Sequence, residues 1–301
     1  MTSHSPTIRS LALAALASGI LLGTSEPARS QAGISPLSTA KLLVPSADPV
    51  PEGRLELGLH YQMGWSHRLF SSAGRLEKVR SLDAEAIMGV RLTYGIVDQR
   101  EFGMELGTAI PILFGWGEDY ETGVTYSAVG LAEVPIGAKL RVVRERDWSL
   151  SLAILGQVPT GDRNQVTSGY GKVGGGILIS GRLFEGLTMD LALTGEGVLG
   201  LRDRDRDAVA AWGMETSIAL GWIERRGFFR IFSPCLELEH RVEGTTRGEP
   251  DSRFRHRLGL NLGFAIQLTK RVVMTQAAQV DLAGSNQPMG AGWIMNTSFL
   301  L

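Results

Sequence analysis

From residue 54 onward, apolar side chains recur at every second position along most of this chain. In the clearest run, Leu55, Leu57, Leu59, Tyr61 and Met63 alternate with polar residues or glycine. A period of two indicates a β-strand with one apolar face, because successive side chains point to opposite sides of the pleat. Several runs exceed the five or six residues that are usual for soluble strands. The pattern therefore predicts long strands.

The alternation predicts twelve antiparallel strands, joined in turn by short turns and by longer polar loops. Short turns at one end and longer loops at the other are typical of transmembrane β-barrels. We therefore predict an all-β fold, a single up-and-down transmembrane antiparallel barrel over residues 54–301. The predicted strands lie near 54–66, 82–95, 101–113, 130–143, 148–158, 171–183, 187–199, 210–223, 229–243, 254–269, 271–283 and 289–301.

Charge lies on only one face of these predicted strands. The apolar face carries no Asp, Glu, Lys or Arg, and its polar members are Thr108, Thr216, Thr297, His240, His256 and Gln276. Placing Arg or Lys at the bilayer midplane costs a barrel about 2–4 kcal/mol, so a surface that faces lipid excludes them. The uncharged face is therefore predicted to contact lipid.

A soluble sandwich with one exposed charged face would show the same alternation. Aromatic residues separate the two folds, because transmembrane barrels carry an aromatic girdle at each membrane interface. Trp148 and Trp222 lie near one predicted end of the strands, whereas Trp65 and Trp212 lie near the other. This distribution favours the barrel.

The charged face is predicted to line a wet lumen, where its charges stay solvated and can pair across strands. Glycines on the same face, such as Gly107 and Gly137, are expected to leave space there. Our candidates for a permeation path are nine charged residues of this face: Glu85, Arg91, Glu105, Lys139, Arg141, Arg182, Glu237, Arg255 and Arg257.

The first 32 residues have the pattern of a cleaved signal peptide. Arg9 precedes an apolar run over residues 11–22, and Ser30 and Ala32 form a small-x-small site, so cleavage is expected after Ala32. The run is too short for a membrane-spanning helix, which needs roughly 20 residues. Residues 33–53 contain four prolines that block regular strand pairing. We expect this stretch to be a periplasmic segment or a plug in the barrel.

Charge and cysteine content argue against several classes of function. The formal net charge of −1 provides no basic field for nucleic acid. Cys235 is the only cysteine, so neither an internal disulfide nor a cysteine-rich zinc site can form. We predict no cofactor, no metal site and no catalytic residues.

Two segments resemble the family of outer-membrane transporters named for the meta pathway of phenol degradation, which are related to channels for hydrophobic compounds. One is VPTGDR at residues 158–163, and the other is GLAE at 130–133 running into IGAKLR at 136–141. The family usually has Gly and Asp where this chain has Ala132 and Glu133. The resemblance implies passage of small compounds, aromatic or apolar ones among them.

Together these features predict a monomeric channel or transporter in the outer membrane of a Gram-negative-type bacterium. Its expected partners are outer-membrane lipid, a small-molecule solute and the barrel-assembly machinery. The C-terminal strand, which carries Phe299 near its end, resembles the signal that this machinery recognises.

Two alternatives stay open at this point. A lumen of twelve strands is narrow enough for long side chains to fill, which would leave a non-conducting binding or structural barrel. An outer-membrane hydrolase is the other, since His240 and His256 are predicted to face outward on neighbouring strands, with Ser233 and Ser252 nearby in sequence.

Overall fold

The protein is described by a computed structural model that covers residues 34–39, 41–70, 73–119, 125–160, 170–200, 210–224, 231–244, 254–285 and 287–301. Within these ranges thirteen strands form a single antiparallel sheet. The strands are β1 Leu55–Phe70, β2 Leu76–Asp98, β3 Gly103–Asp119, β4 Thr125–Leu131, β5 Val134–Arg144, β6 Trp148–Val158, β7 Lys172–Phe184, β8 Leu187–Val198, β9 Trp212–Trp222, β10 Ile231–Gly244, β11 Phe254–Gln267, β12 Val272–Ser285 and β13 Gln287–Leu300.

The sheet closes on itself. The first strand, β1, pairs with β2 on one side and with the last strand, β13, on the other, and β2 also pairs with β3, so the strands form a closed barrel. Among the described residues, no helix reaches the length and apolarity that crossing a bilayer would require. The predicted all-β antiparallel barrel is confirmed, and the predicted signal peptide lies outside the described residues.

The predicted strand 130–143 is observed as two collinear pieces. Both β4 and β5 pair with the same side of β3, so the barrel has twelve strand positions with one of them broken. Thr108 of β3 pairs with Ile136 of β5, whereas Ile112 of β3 pairs with Leu131 of β4. The chain that joins β4 to β5 therefore contains one residue more than the stretch of β3 opposite it. Pro111 lies at this point and has no N–H to donate to the ladder, which accounts for the break.

The first three strands are longer than predicted. Residues 67–81 and 114–129 were expected to be loops, but β1 runs to Phe70, β2 begins at Leu76 and β3 runs to Asp119. These extensions are rich in polar residues and glycine, so the apolar alternation that marks the other strands is weak there. Cross-strand pairing continues along them regardless of side-chain polarity.

The outward face is apolar and exposed on all sides of the barrel. It presents large side chains such as Leu59 of β1, Ile110 of β3, Ile154 of β6 and Leu262 of β11. The inward face carries polar side chains together with small and apolar ones, and many of them are buried. We call the end with the short connections, such as residues 145–147 and 185–186, the short-turn end, and the opposite end the long-loop end.

Candidate functional site

Residues 34–39 and 41–53 are called the luminal segment here. They lie inside the barrel, in the half nearer the short turns, as far as Val50, and the exposed residues 51–53 lead into β1. The prolines at 36, 45, 49 and 51 keep this stretch out of the sheet. Its backbone N–H and C=O groups therefore need partners other than a neighbouring strand. Inward side chains of the barrel supply those partners.

A fully buried ion pair forms the first anchor of the luminal segment. Lys139 of β5 lies 3.0 Å from Glu105 of β3, and both side chains have 0% exposure. Glu105 accepts hydrogen bonds from the N–H groups of Ser38, at 3.0 Å, and Val50, at 2.7 Å. Lys139 donates to the carbonyl oxygen of Ser46 at 2.8 Å. The pair thus satisfies backbone groups from both ends of the segment.

A second anchor lies across the lumen from the first. Glu237 of β10 accepts hydrogen bonds from the N–H groups of Leu42, at 2.8 Å, and Leu43, at 3.1 Å. Lys41 of the segment pairs with the buried carboxylate of Asp190 on β8. Carboxylates that accept backbone N–H bonds make charge-assisted hydrogen bonds, which are stronger than neutral ones.

Two arginines hold the segment at other points. Arg91 of β2 donates to the carbonyl oxygen of Leu37 at 3.2 Å. Arg141 of β5 is 1% exposed and lies 3.4 Å from Asp48 of the segment and 2.9 Å from Asp98 of β2. The segment is therefore bound to strands on opposite walls of the barrel.

Apolar packing complements these polar contacts. Leu37, Val44 and Ala47 of the segment share a buried cluster with inward-facing small and apolar residues of the wall, namely Ala153, Leu178, Ala192 and Ala219. Leu42 packs in a second cluster with Cys235, Ala265, Ala277 and Ile294. Full burial of a leucine side chain contributes about 1.5–3 kcal/mol, so these residues hold the segment as firmly as its hydrogen bonds do.

Inward glycines give the segment room to lie directly on the wall. A Cβ atom at Gly107 would lie 1.8 Å from the carbonyl oxygen of Pro36, and one at Gly89 would lie 2.4 Å from a methyl carbon of Ile34. At Gly103 and Gly137 the nearest atoms also belong to the segment. The space expected at Gly89, Gly103, Gly107 and Gly137 is thus occupied by the chain itself.

Replacing Gly107 by alanine is expected to dislodge the luminal segment, because the new methyl group overlaps the Pro36 carbonyl. Lys41, 6% exposed in the folded barrel, should then become accessible to trypsin. Mass spectrometry of the folded protein after brief digestion measures cleavage after Lys41. Gly259→Ala is the matched control, since its nearest neighbour would lie 3.6 Å away. Equal protection of Lys41 in both variants would contradict the packing described here.

A network of charges lines the other half of the lumen, toward the long-loop end. Arg241 of β10 bridges Glu196 at 3.0 Å, Glu215 at 3.5 Å and Glu243 at 2.6 Å. Lys172 adds a contact of 3.0 Å to Glu196. Arg257 of β11 lies 3.4 Å from Glu239 and 3.8 Å from Asp281. We call these residues the loop-side network: Lys172, Glu196, Glu215, Glu239, Arg241, Glu243, Arg257 and Asp281.

A cavity of about 180 Å³ lies between the luminal segment and the loop-side network. Leu37 and Leu43 of the segment line one side of it. Leu155 and Leu178 of the wall extend the apolar lining, and residues of the loop-side network contribute the charged part. The lumen can therefore hold a small molecule with both apolar and polar parts.

The structure places the nine residues proposed for a permeation path in different parts of the barrel. Arg91, Glu105, Lys139, Arg141 and Glu237 bind the luminal segment. Arg257 belongs to the loop-side network. The remaining three are distributed along the barrel: Glu85 on β2, Arg182 near the short-turn end of β7 and buried Arg255 at the start of β11.

Some residues of the lumen were missing from the sequence-based candidates. Asp190, Glu196, Glu215 and Arg241 share the charged face of their strands with the nine, so the alternation placed them on that face. Their pairing depends on how far along neighbouring strands each one lies. Sequence alternation defines a face and leaves this register open.

The histidines of the hydrolase alternative do lie side by side on the outward face. The ring centroids of His240 and His256 are 6.0 Å apart. Ser233, however, is buried on the inward face of the same strand, and Ser252 lies outside the described residues. Of the two proposed serines, the structure therefore places Ser233 away from the histidines.

No known protein family and no curated protein matches the sequence. Among solved structures, an outer-membrane channel from Pseudomonas putida F1 superposes with a TM-score of 0.70 at 15% identity, over 85% of this chain and 98% of that one. This chain has the fold of an outer-membrane β-barrel. The resemblance noted in the sequence is supported at the level of the barrel fold alone.

Two further barrels are less similar. The β domain of the Bordetella autotransporter BrkA has a TM-score of 0.48 at 14% identity, over 81% of this chain and 98% of that one. The NanC porin has a TM-score of 0.46 at 9% identity, over 81% of this chain and 100% of that one.

Proposed function

We propose that this chain is an outer-membrane channel of a Gram-negative-type bacterium that passes small solutes, with the luminal segment as its plug. The observation that carries the proposal is the reversed polarity of the barrel. Its outside is apolar and exposed, whereas its inside buries charged side chains such as Glu105 and Lys139 and encloses a cavity that is lined in part by charged residues such as Arg241. A water-soluble protein has the opposite arrangement.

The outward face supports the membrane location. Soluble monomers seldom expose a continuous apolar patch larger than a few hundred Å². Here exposed apolar side chains continue round the barrel, from Leu59 on β1 through Ile154 on β6 to Trp293 on β13. Such a surface is stable in contact with lipid. We also propose that the C-terminal strand recruits the barrel-assembly machinery.

The cavity supports passage of small compounds with apolar character, as the resemblance to the meta-pathway family implies. Its lining combines leucines of the segment and the wall with charges of the loop-side network. A volume of about 180 Å³ accommodates one small molecule at a time. We propose that solutes enter from the long-loop end, rest in this cavity and pass on when the luminal segment moves.

Conductance tests the proposal. Purified protein reconstituted into planar bilayers is expected to give discrete single-channel steps, and liposomes that contain it should swell in solutions of small solutes. Heat-denatured protein is the control for leakage. Protein that inserts, shows the heat-modifiable mobility of a folded barrel and yet passes neither ions nor solutes would overturn the channel.

A second function, a non-conducting barrel that binds a partner or serves a structural role, is favoured by one observation. The luminal segment fills the short-turn half of the lumen with buried contacts on opposite walls. The same measurement decides between the two functions, because a permanently plugged barrel inserts without conducting.

A further inference from the structure

Three neighbouring cavities follow the inward face of β1. Gln62 lines the cavity of about 180 Å³ described above, here called the loop-side cavity. Gly58 and His60 line a middle cavity of about 10 Å³, and Glu56 lines a turn-side cavity of about 230 Å³. These residues are successive inward positions of β1, which begins at Leu55 at the short-turn end. The cavities therefore succeed one another along the lumen, from its loop-side half to the short turns.

The cavities also share lining residues, so each one borders the next. Ile34 and Leu43 of the luminal segment line both the loop-side and the middle cavity. Thr39 of the segment and Ser298 of β13 line both the middle and the turn-side cavity. The turn-side cavity is also bounded by the exposed residues 270–271 and therefore opens at the short-turn end. Together the three cavities form a route beside the luminal segment.

The middle cavity is the narrowest point of this route. A space of about 10 Å³ is close to the smallest that holds one water molecule. Two of its lining residues carry a buried polar atom without a hydrogen-bond partner among the described residues, namely Nε2 of His60 and Nε of Arg91. One terminal nitrogen of Arg91 donates to the Leu37 carbonyl, and the other pairs with Glu56, whose carboxylate compensates the positive charge. The narrow point therefore lacks two hydrogen bonds and needs no counter-ion.

The two unpaired atoms have complementary hydrogen-bonding roles. Asn296 donates through Nδ2 to the carbonyl oxygen of Leu42 at 2.8 Å, so its Oδ1 is the atom that accepts from Nδ1 of His60. Nε2 of the neutral ring is then an acceptor, whereas Nε of Arg91 is a donor. A water molecule, or a hydroxyl group of a solute, both donates and accepts. It can therefore satisfy both atoms at once, which offsets the cost of leaving them unpaired.

We infer that solutes cross the barrel along β1 through these three cavities, and that His60 and Arg91 form the narrowest point, where they bind passing water and hydroxyl groups. The inference rests on the proposed function and names its path and the residues that limit passage. The anchors Glu105 and Glu237 lie on β3 and β10, away from this wall. The luminal segment can therefore keep these anchors while residues 34–39, which border the path, shift to admit a larger solute.

Single-channel conductance of the variant His60→Ala tests the path. Removing the imidazole widens the middle cavity, so the conductance is expected to rise at least about twofold, because the narrowest point of a pore limits passage. Asn261→Ala is the matched control and should conduct like the wild type. It shortens another inward side chain, 1% exposed, that lies on β11 outside the residues lining the three cavities. Wild-type conductance in folded His60→Ala would overturn the path.

Blocking the path chemically is an independent test, and it decides the matter if His60→Ala fails to fold. Ser298→Cys places a thiol where the middle and turn-side cavities meet, in a Cys235→Ala background that removes the native thiol. Labelling it with benzyl methanethiosulfonate is expected to lower the conductance by at least about half, because the added ring fills the narrow point. Ser151→Cys, on β6 outside these cavities, is the control and should be unaffected. Unchanged conductance of fully labelled Ser298→Cys protein would refute the path.

Conductance of the wild type separates this inference from the channel proposal. If the wild type conducts and neither His60→Ala nor labelled Ser298→Cys differs from its control, only the path is overturned. If the wild type and His60→Ala both insert without conducting, the channel and the path are overturned together. Current that appears only in His60→Ala supports the path and identifies His60 as the group that closes it.

Discussion

Deletion of residues 34–50 is expected to raise the single-channel conductance of the barrel several-fold. The luminal segment occupies the half of the lumen nearer the short turns, where its backbone is bound by Glu105 and Glu237 from opposite walls. Removing it leaves inward glycines such as Gly107 facing open space. Planar-bilayer recordings of the deletion variant and the wild type at the same salt concentration measure the change.

The control replaces the same residues by a Gly/Ser sequence of equal length, which stays flexible and lacks the apolar side chains that anchor the segment. This variant should conduct like the deletion for much of the recording, with brief closures when the linker enters the lumen. Conductance equal to the wild type in both variants, each confirmed as folded by its heat-modifiable mobility, would show that the segment does not restrict the pore.

Replacing Lys139 by methionine is expected to destabilise the folded barrel by roughly 3–5 kcal/mol, the usual cost of removing one partner of a buried ion pair. Lys139 and Glu105 are both fully buried, so the Glu105 carboxylate would lose its cation in a site that water does not reach. Urea-induced unfolding in lipid or detergent, followed by tryptophan fluorescence, measures the loss as a lower midpoint.

Two further variants test whether the pair itself is responsible. The double variant Lys139→Met with Glu105→Gln should be less destabilised than the sum of the two single variants, because it leaves no charge unpaired. Lys270→Met, at an exposed turn between β11 and β12, should unfold at the wild-type midpoint. A Lys139→Met barrel as stable as the wild type would mean that the pair contributes nothing to stability.

Most of the barrel could be predicted from the alternation of side chains. The limits of β6, Trp148–Val158, agree with the predicted 148–158, and β7, β8 and β11 differ from their predictions by at most two residues. The prediction of strand limits succeeds for these strands because one face of each is uniformly apolar. The prediction fails at β4 and in the extensions of β1 to β3, where strand pairing continues through polar residues and past Pro111.

The candidate site was less predictable. The prolines of the luminal segment indicate only that it avoids strand pairing, so the sequence is compatible with two interpretations of residues 33–53, a periplasmic segment or a plug. The contacts that hold the segment join residues far apart in sequence, such as Leu42 and Glu237. A sequence signal did exist in the small and apolar residues of the charged face, including Ala153, Ala192 and Ala219, because a purely wet lumen has no need of them.

The partners of the luminal segment also bear on how the molecule assembles. They are distributed over the chain from Arg91 on β2 to Asn296 on β13, which donates to the carbonyl oxygen of Leu42 at 2.8 Å. The complete set exists only after the last strand has joined β1. The luminal segment can therefore reach its final position only at the end of folding. Its burial indicates that the barrel is complete.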